Sequence, residues 1–166
     1  SDVKVVLICT NNPGAFIVKR AKKLNIPITF ITKTELNYFI NLYKKLQNAE
    51  VDFIILAGFL LRLPVIMVEK YLNRIINIHP SLLPKYGGGG MYGDAVHKAV
   101  LKNKEIESGI SIHFVNQNYD EGELILQEKC SVSANETLET LAAKIHQLEQ
   151  KHLPLTVEKI LKSQNL

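Results

Sequence analysis

Apolar residues in this chain fall into short runs that alternate with stretches of helical spacing. Residues 3–9 and 27–31 are apolar runs, and between them residues 15–24 repeat apolar positions every three to four residues beside a basic face. That predicts strand, helix, strand. Thr32 followed by Glu35 forms a capping-box pattern, which predicts a helix through Gln47 with Leu36, Phe39, Ile40 and Tyr43 on its inner face. Residues 51–58 form an unbroken apolar strand of the kind buried on both faces of a parallel sheet. Pro64 suits the first turn of a short helix through Tyr71, and residues 74–78 are a short β-branched strand. Residues 94–102 predict a helix. Residues 109–115 and 123–132 alternate with period two and predict an antiparallel pair joined by residues 116–122. Ser133 with Glu136 forms a second capping-box pattern, opening a helix to about Leu153, with a short tail helix after Pro154. Strands alternating with helices imply an α/β fold, an open, mostly parallel Rossmann-like sheet with an antiparallel C-terminal edge. Such sheets bind ligands where strands end at their carboxyl side. Three exits then matter: residues 58–63, 77–84 and 116–122.

At 166 residues, with 46% hydrophobic and 22% charged content, the chain holds one well-buried core, so residues 1–166 are expected to form a single domain. Its net charge of +4 comes from runs such as Lys19-Arg20-Ala21-Lys22-Lys23. No aromatic residues interleave with them as stacking platforms, which argues for solvated helix faces and against a nucleic-acid partner. Cys9 and Cys130 lie far apart with no partner at metal spacing, so neither a disulfide framework nor a metal site is expected. A reducing, cytoplasmic setting follows. No leader and no apolar run near the ~20 residues needed to cross a bilayer is visible, so no membrane partner is expected. Oligomeric state has no signature.

The chemistry concentrates in Asn77-Ile78-His79-Pro80-Ser81-Leu82-Leu83-Pro84. Alternate side chains of a strand share a face, so the Asn77 amide and the His79 imidazole point the same way, and the two prolines hold the following loop extended. A histidine beside an apolar strand is as often a packing residue as a catalyst. Tyr119-Asp120-Glu121-Gly122 adds a carboxylate in a tight turn, with Gly122 expected to supply the positive φ. An aspartate can merely cap such a turn. At that sheet end, however, Asp120 is within range of His79, where it would fix the ring's tautomer and raise its pKa. Amide, acid/base and orienter together stabilise an oxyanion without a nucleophilic Ser or Cys. Gly88-Gly89-Gly90-Met91-Tyr92-Gly93 satisfies a dinucleotide fingerprint, but no strand precedes it directly, so a mobile substrate loop fits better. His97 and His113 are expected to pack or hydrogen-bond near the site.

These residues resemble the phosphoribosylglycinamide formyltransferases. The likeness is carried by Ala57-Gly58-Phe59-Leu60, by the Asn77 segment continued through Lys85-Tyr86, and by Ser108-Gly109-Ile110-Ser111-Ile112-His113-Phe114-Val115 followed by Asp120-Glu121-Gly122. It runs in order along nearly the whole chain. The resemblance implies transfer of a formyl group from 10-formyltetrahydrofolate, as cosubstrate, to the amine of glycinamide ribonucleotide in purine biosynthesis. Asn77, His79 and Asp120 would be catalytic. The folate pocket would fall on Leu60, Leu61, Arg62 and Leu63, on Asn77, and on Asn116, Gln117, Asn118, Tyr119 and Asp120. Contacts to the ribonucleotide would fall on His146, Gln147, Leu148 and Glu149. Without the resemblance, the leucines read as core and Glu149 as a solvated charge. Leu61 stands where many members carry Arg, and a glycine at Gly89 or Gly90 replaces a frequent Lys. The chain is also expected to lack the first strand, phosphate loop and helix of these enzymes. Formyltetrahydrofolate deformylase or another formyltransferase of the same group is the alternative enzyme. A catalytically impaired folate-binding module is the alternative of a different class.

Overall fold

The computed structural model describes residues 3–166. β1 (Ile8–Thr10) and β2 (Ile28–Phe30) pair in parallel across α1 (Phe16–Lys23), as the first apolar runs predict, although both strands are shorter than those runs. The Thr32–Glu35 capping box forms. The helix it opens does not reach Gln47 unbroken: α2 (Lys33–Tyr38) ends at Phe39, whose φ of 40° interrupts the turn before α3 (Ile40–Asn48). The break rotates the second half. Phe39 is buried and Leu42 and Leu46 take the inner face, while Ile40, expected inside, is 57% exposed.

β3 (Ile54–Ala57) runs parallel to β4 (Ile75–His79), with α4 (Val65–Lys70) crossing between them. α5 (Asp94–Lys102) follows the loop after β4. β5 (Glu107–Phe114) is antiparallel to β4, and β6 (Leu124–Ser131) is antiparallel to β5. The result is the mixed α/β architecture with the antiparallel C-terminal edge that the alternation predicts. Its hydrogen bonding falls into two pieces, β1-β2 and β3-β4-β5-β6. β3 is therefore an edge strand among the described residues, and Ile55 on it is 42% exposed rather than buried on both faces.

β4 carries the site because it has neighbours on both sides. Alternation sends Ile76 and Ile78 into a cluster with Val100, Ile110, Leu141 and Ile145, while Ile75 joins Leu36, Leu46, Met67 and Tyr71 on the other side. Asn77 and His79 continue the Ile75 row past the end of that packing. The last helix also departs from expectation. Ser133 does donate to the Glu136 carboxylate, from its amide and its hydroxyl, but Thr137 is the N-cap, paired with Thr140, and α6 (Leu138–Gln164) runs through Pro154 as one helix. Burial of Ile145, Val157 and Ile160 on one face holds the helix together across the hydrogen bond that proline cannot make.

Candidate active site

The antiparallel register sets Asn77 opposite His113 and His79 opposite Ser111. A turn after β5 then brings Asp120 back over the end of β4. That turn differs from expectation in one respect: the positive φ, 55°, belongs to Asp120 and not to Gly122. Aspartate tolerates this region better than most residues. Gly122 is needed for a different reason, since a Cβ there would lie 1.7 Å from the Phe114 carbonyl oxygen.

Asp120 is the hub. Its Oδ1 accepts from Asn77 Nδ2 at 3.3 Å and lies 3.6 Å from His113 Nε2. Its Oδ2 lies 3.6 Å from His79 Nδ1 and accepts from the Gly88 amide at 2.9 Å. His113, expected only near the site, is a fourth member: its Nδ1–H donates to the Phe114 carbonyl at 2.8 Å, and its Nε2 stands 3.2 Å from Asn77 Nδ2. Strand pairing was the signal for it, because residues opposite Asn77 and His79 share their face. His79 Nε2–H donates to the Tyr86 carbonyl at 2.7 Å. The donors of Asn77 and His79 are therefore occupied by the protein itself in this state.

The electrostatics correct one expectation. Burial pushes the His79 pKa down and outweighs the upward pull of the Asp120 carboxylate and the Tyr86 carbonyl, so this imidazole is held neutral below its ordinary value. Burial works to raise Asp120, but the His113 hydrogen bond, the Gly88 amide and the two imidazoles bring its carboxyl below the usual range. Asp120 is ionised throughout the neutral range.

Two supports position the cluster. Ser111, fully buried, donates to the Ser81 carbonyl at 2.6 Å and accepts from Leu83 N and Gln127 Nε2, tying the loop after β4 to β5 and β6. Tyr86, whose carbonyl receives His79, is held at its hydroxyl by Glu105 and Asn103. Among the described residues no group of three His, Cys, Asp or Glu side chains is disposed to hold a metal ion.

A cavity of about 560 Å³ opens over this cluster, within the size range of small-molecule sites. Asn77, His79, Asp120, Leu60 and Tyr119 line it, as do His146 and Glu149 from α6. The other residues named by resemblance do not. Leu63 is core, Leu61 packs against the core, and Arg62 turns aside to donate from Nε and Nη2 to the Gln117 carbonyl, at 3.2 and 2.6 Å. Asn116 and Asn118 are spent inside their own loop, where Asn116 accepts from the Asn118 amide and Asn118 donates to Glu121. Gln147 and Leu148 lie on α6 away from the cavity, because residues three or four apart, such as His146, Glu149 and Gln150, share a helix face and these two fall between its turns. His97, expected near the site, lines it as well, and so do Gln150 and Pro154, which sequence reasoning missed.

Comparison with known proteins matches residues 1–157 to the formyl transferase family model. The chain belongs to the formyl transferase family. It is 40% identical over 152 residues to the chloroplastic phosphoribosylglycinamide formyltransferase of Arabidopsis thaliana, covering 89% of this chain and 52% of that protein. It is 37% identical over 155 residues to the trifunctional purine biosynthetic protein adenosine-3 of Chironomus tentans, covering 91% of this chain and 11% of that one. The crystal structure of phosphoribosylglycinamide formyltransferase from Bacillus halodurans superposes with a TM-score of 0.87 at 32% identity, covering 96% of this chain and 82% of that one. The chain thus spans about half the length of the Arabidopsis relative. The family's fold is present, and the cavity at the carboxyl ends of its strands holds the polar cluster described above.

Proposed function

We propose that this formyltransferase moves a formyl group from 10-formyltetrahydrofolate to the amine of glycinamide ribonucleotide. The observation that supports this most is the convergence of Asn77, His79 and Asp120 on one cavity with an apolar wall from Ala57 to Leu60, and with His113 buried behind Asn77 and Asp120. An amide and a neutral imidazole N–H are the donors an oxyanion needs, and neither is a nucleophile. In this reading Asn77 Nδ2 and His79 Nε2–H turn from Asp120, His113 and the Tyr86 carbonyl to the formyl oxygen as the amine adds to the formyl carbon. The new C–N bond forms, the bond from that carbon to N10 breaks, and the proton lost by the amine goes to N10. Asp120, ionised beside both rings, stabilises whichever imidazole gains charge on the way. Reduced cysteines and the absence of a helix long and apolar enough to cross a membrane, among the described residues, are compatible with the cytoplasm or with a plastid, where the Arabidopsis relative is placed by name.

The test is turnover of 10-formyltetrahydrofolate with glycinamide ribonucleotide by the full chain, compared with Asp120→Asn. The variant is expected to fold and to lose about 10²- to 10⁴-fold in kcat. Equal turnover by both would reduce Asp120 to a turn residue and remove the mechanism.

A further inference from the structure

A neutral imidazole carries a single N–H, and an acceptor stands at each nitrogen of His79. The Tyr86 carbonyl oxygen lies 2.7 Å from Nε2, while the Asp120 carboxylate lies 3.6 Å from Nδ1, beyond hydrogen-bond reach. A carbonyl oxygen only accepts, so the proton sits on Nε2 and the Nδ1 lone pair faces Asp120. For an oxyanion this choice is decisive. With the proton on Nε2 the ring has an N–H to lend to the formyl oxygen. Were the carboxylate to draw the proton to Nδ1, Nε2 would present a lone pair to an oxygen gaining negative charge.

The group that wins this competition is a backbone carbonyl in a loop, and its place needs support. Tyr86 has a φ of 58°, in the left-handed region where a bulky residue persists only when its surroundings hold it there. The chain on one side imposes no conformation of its own, because residues 87–90 are all glycine. On the other side, Ser81 Oγ donates to the Lys85 carbonyl at 2.6 Å. The Tyr86 side chain is held from the connection between α5 and β5. Its hydroxyl donates to Glu105 Oε1 at 2.8 Å and accepts from Asn103 Nδ2 at 2.8 Å. Lys85 Nζ reaches both oxygens of Glu105, at 3.1 and 3.2 Å. The Tyr86 hydroxyl, and after it Lys85, holds the Glu105 carboxyl below the usual range, so Glu105 is ionised and accepts only. Glu105 does not line the cavity. Whatever it does for the site, it does through Tyr86.

We propose that Glu105 is a positioning residue that, by holding the Tyr86 hydroxyl, sets the Tyr86 carbonyl that keeps the His79 proton on Nε2. The consequence for turnover rests on the reaction assigned under the proposed function, whereas the tautomer does not, and the test reads the two separately. Nitrogen NMR of the imidazoles in the unmodified full chain without substrate, at a pH where the ring is neutral, is expected to show His79 protonated at Nε2 and bare at Nδ1. The signals are assigned by their loss in His79→Gln. In Glu105→Ala the ratio of the Nδ1–H to the Nε2–H form is expected to rise about five- to tenfold, the worth of one hydrogen bond. Tyr86→Phe, which keeps the ring and loses the hydroxyl, is expected to match it. Glu105→Gln, whose amide oxygen still accepts, is expected to restore the unmodified ratio. An Nδ1–H tautomer in the unmodified chain, or a ratio unmoved in folded Glu105→Ala and Tyr86→Phe proteins, overturns the proposal. A failure of Glu105→Gln to restore the ratio also overturns it, since the effect would then belong to charge and not to the held hydroxyl. In steady-state kinetics Glu105→Ala and Tyr86→Phe are expected to lower kcat about five- to tenfold with both KM values unchanged, the pattern of a donor used in the transition state. A kcat that falls while the tautomer ratio stays fixed overturns the proposal. Absence of formyl transfer by the unmodified chain, with the ratio still shifting in the variants, would overturn the functional reading and support the role of Glu105 at His79.

Discussion

At the scale of single residues, Asp120 is defined by how many groups depend on it. It touches Asn77, two imidazoles and the Gly88 amide from a left-handed backbone conformation. Its charge pulls the His79 pKa up against burial. Removing that charge leaves burial unopposed by it, so the His79 titration midpoint in Asp120→Asn is expected to fall below that of the unmodified protein. Proton NMR of the ring hydrogens against pH measures it. A midpoint that rises would mean that burial is not the dominant influence on this ring. Sequence alone identified Asn77, His79 and Asp120 as one group. It set the sign of the His79 shift wrongly, because the carboxylate is visible in a sequence and the depth of burial is not.

At the scale of elements, the loop after β4 is shaped by β5 and β6 as much as by its own prolines. Ser111 has three hydrogen-bond partners, and one of them, Gln127, also donates to the Leu83 carbonyl at 2.9 Å. Ser111→Ala strands the Leu83 amide and the Ser81 carbonyl in a buried site and is expected to destabilise the fold by about 1–3 kcal/mol. Urea denaturation checks the magnitude, and a change below about 0.5 kcal/mol would show that the loop holds itself. The same brace sits behind His79, so kcat should drop in this variant while it is still folded. Element type was legible almost throughout, since periodicity and the Thr32 capping box depend only on neighbours in sequence. The break at Phe39 and the continuity of α6 through Pro154 were not. Burial of Phe39 in one cluster, and of Ile145, Val157 and Ile160 in another, overrides local preference at both places.

At the scale of the whole molecule, buried neutral histidines shape the acid side of the stability profile. His79 and His97 both have pKa values lowered mainly by burial, so the unfolded chain binds protons there more readily than the folded one. Stability from this source is intact above the unfolded value near 6.5 and declines as pH falls below it, by up to about 1.4 kcal/mol per pH unit for each ring. Asp120, whose carboxyl is lowered, contributes stability that is lost only further down, as pH falls through its own folded value. Thermal unfolding followed from pH 7 to pH 5 is therefore expected to show a falling Tm, with a shallower slope in His97→Gln. A Tm that is flat over this window would mean that neither ring is neutral in the folded state. By itself the sequence determined the order and kind of the elements, the mixed sheet, and the strand end at which an amide and an imidazole share a face, because these follow from patterns among near neighbours. Only the tertiary structure decided that His113 joins the cluster through strand register, that Arg62 turns from the cavity to the Gln117 carbonyl, and that Glu105 holds Tyr86 beside His79. Each depends on which distant segments meet and on how completely they exclude water, and neither is written in local spacing.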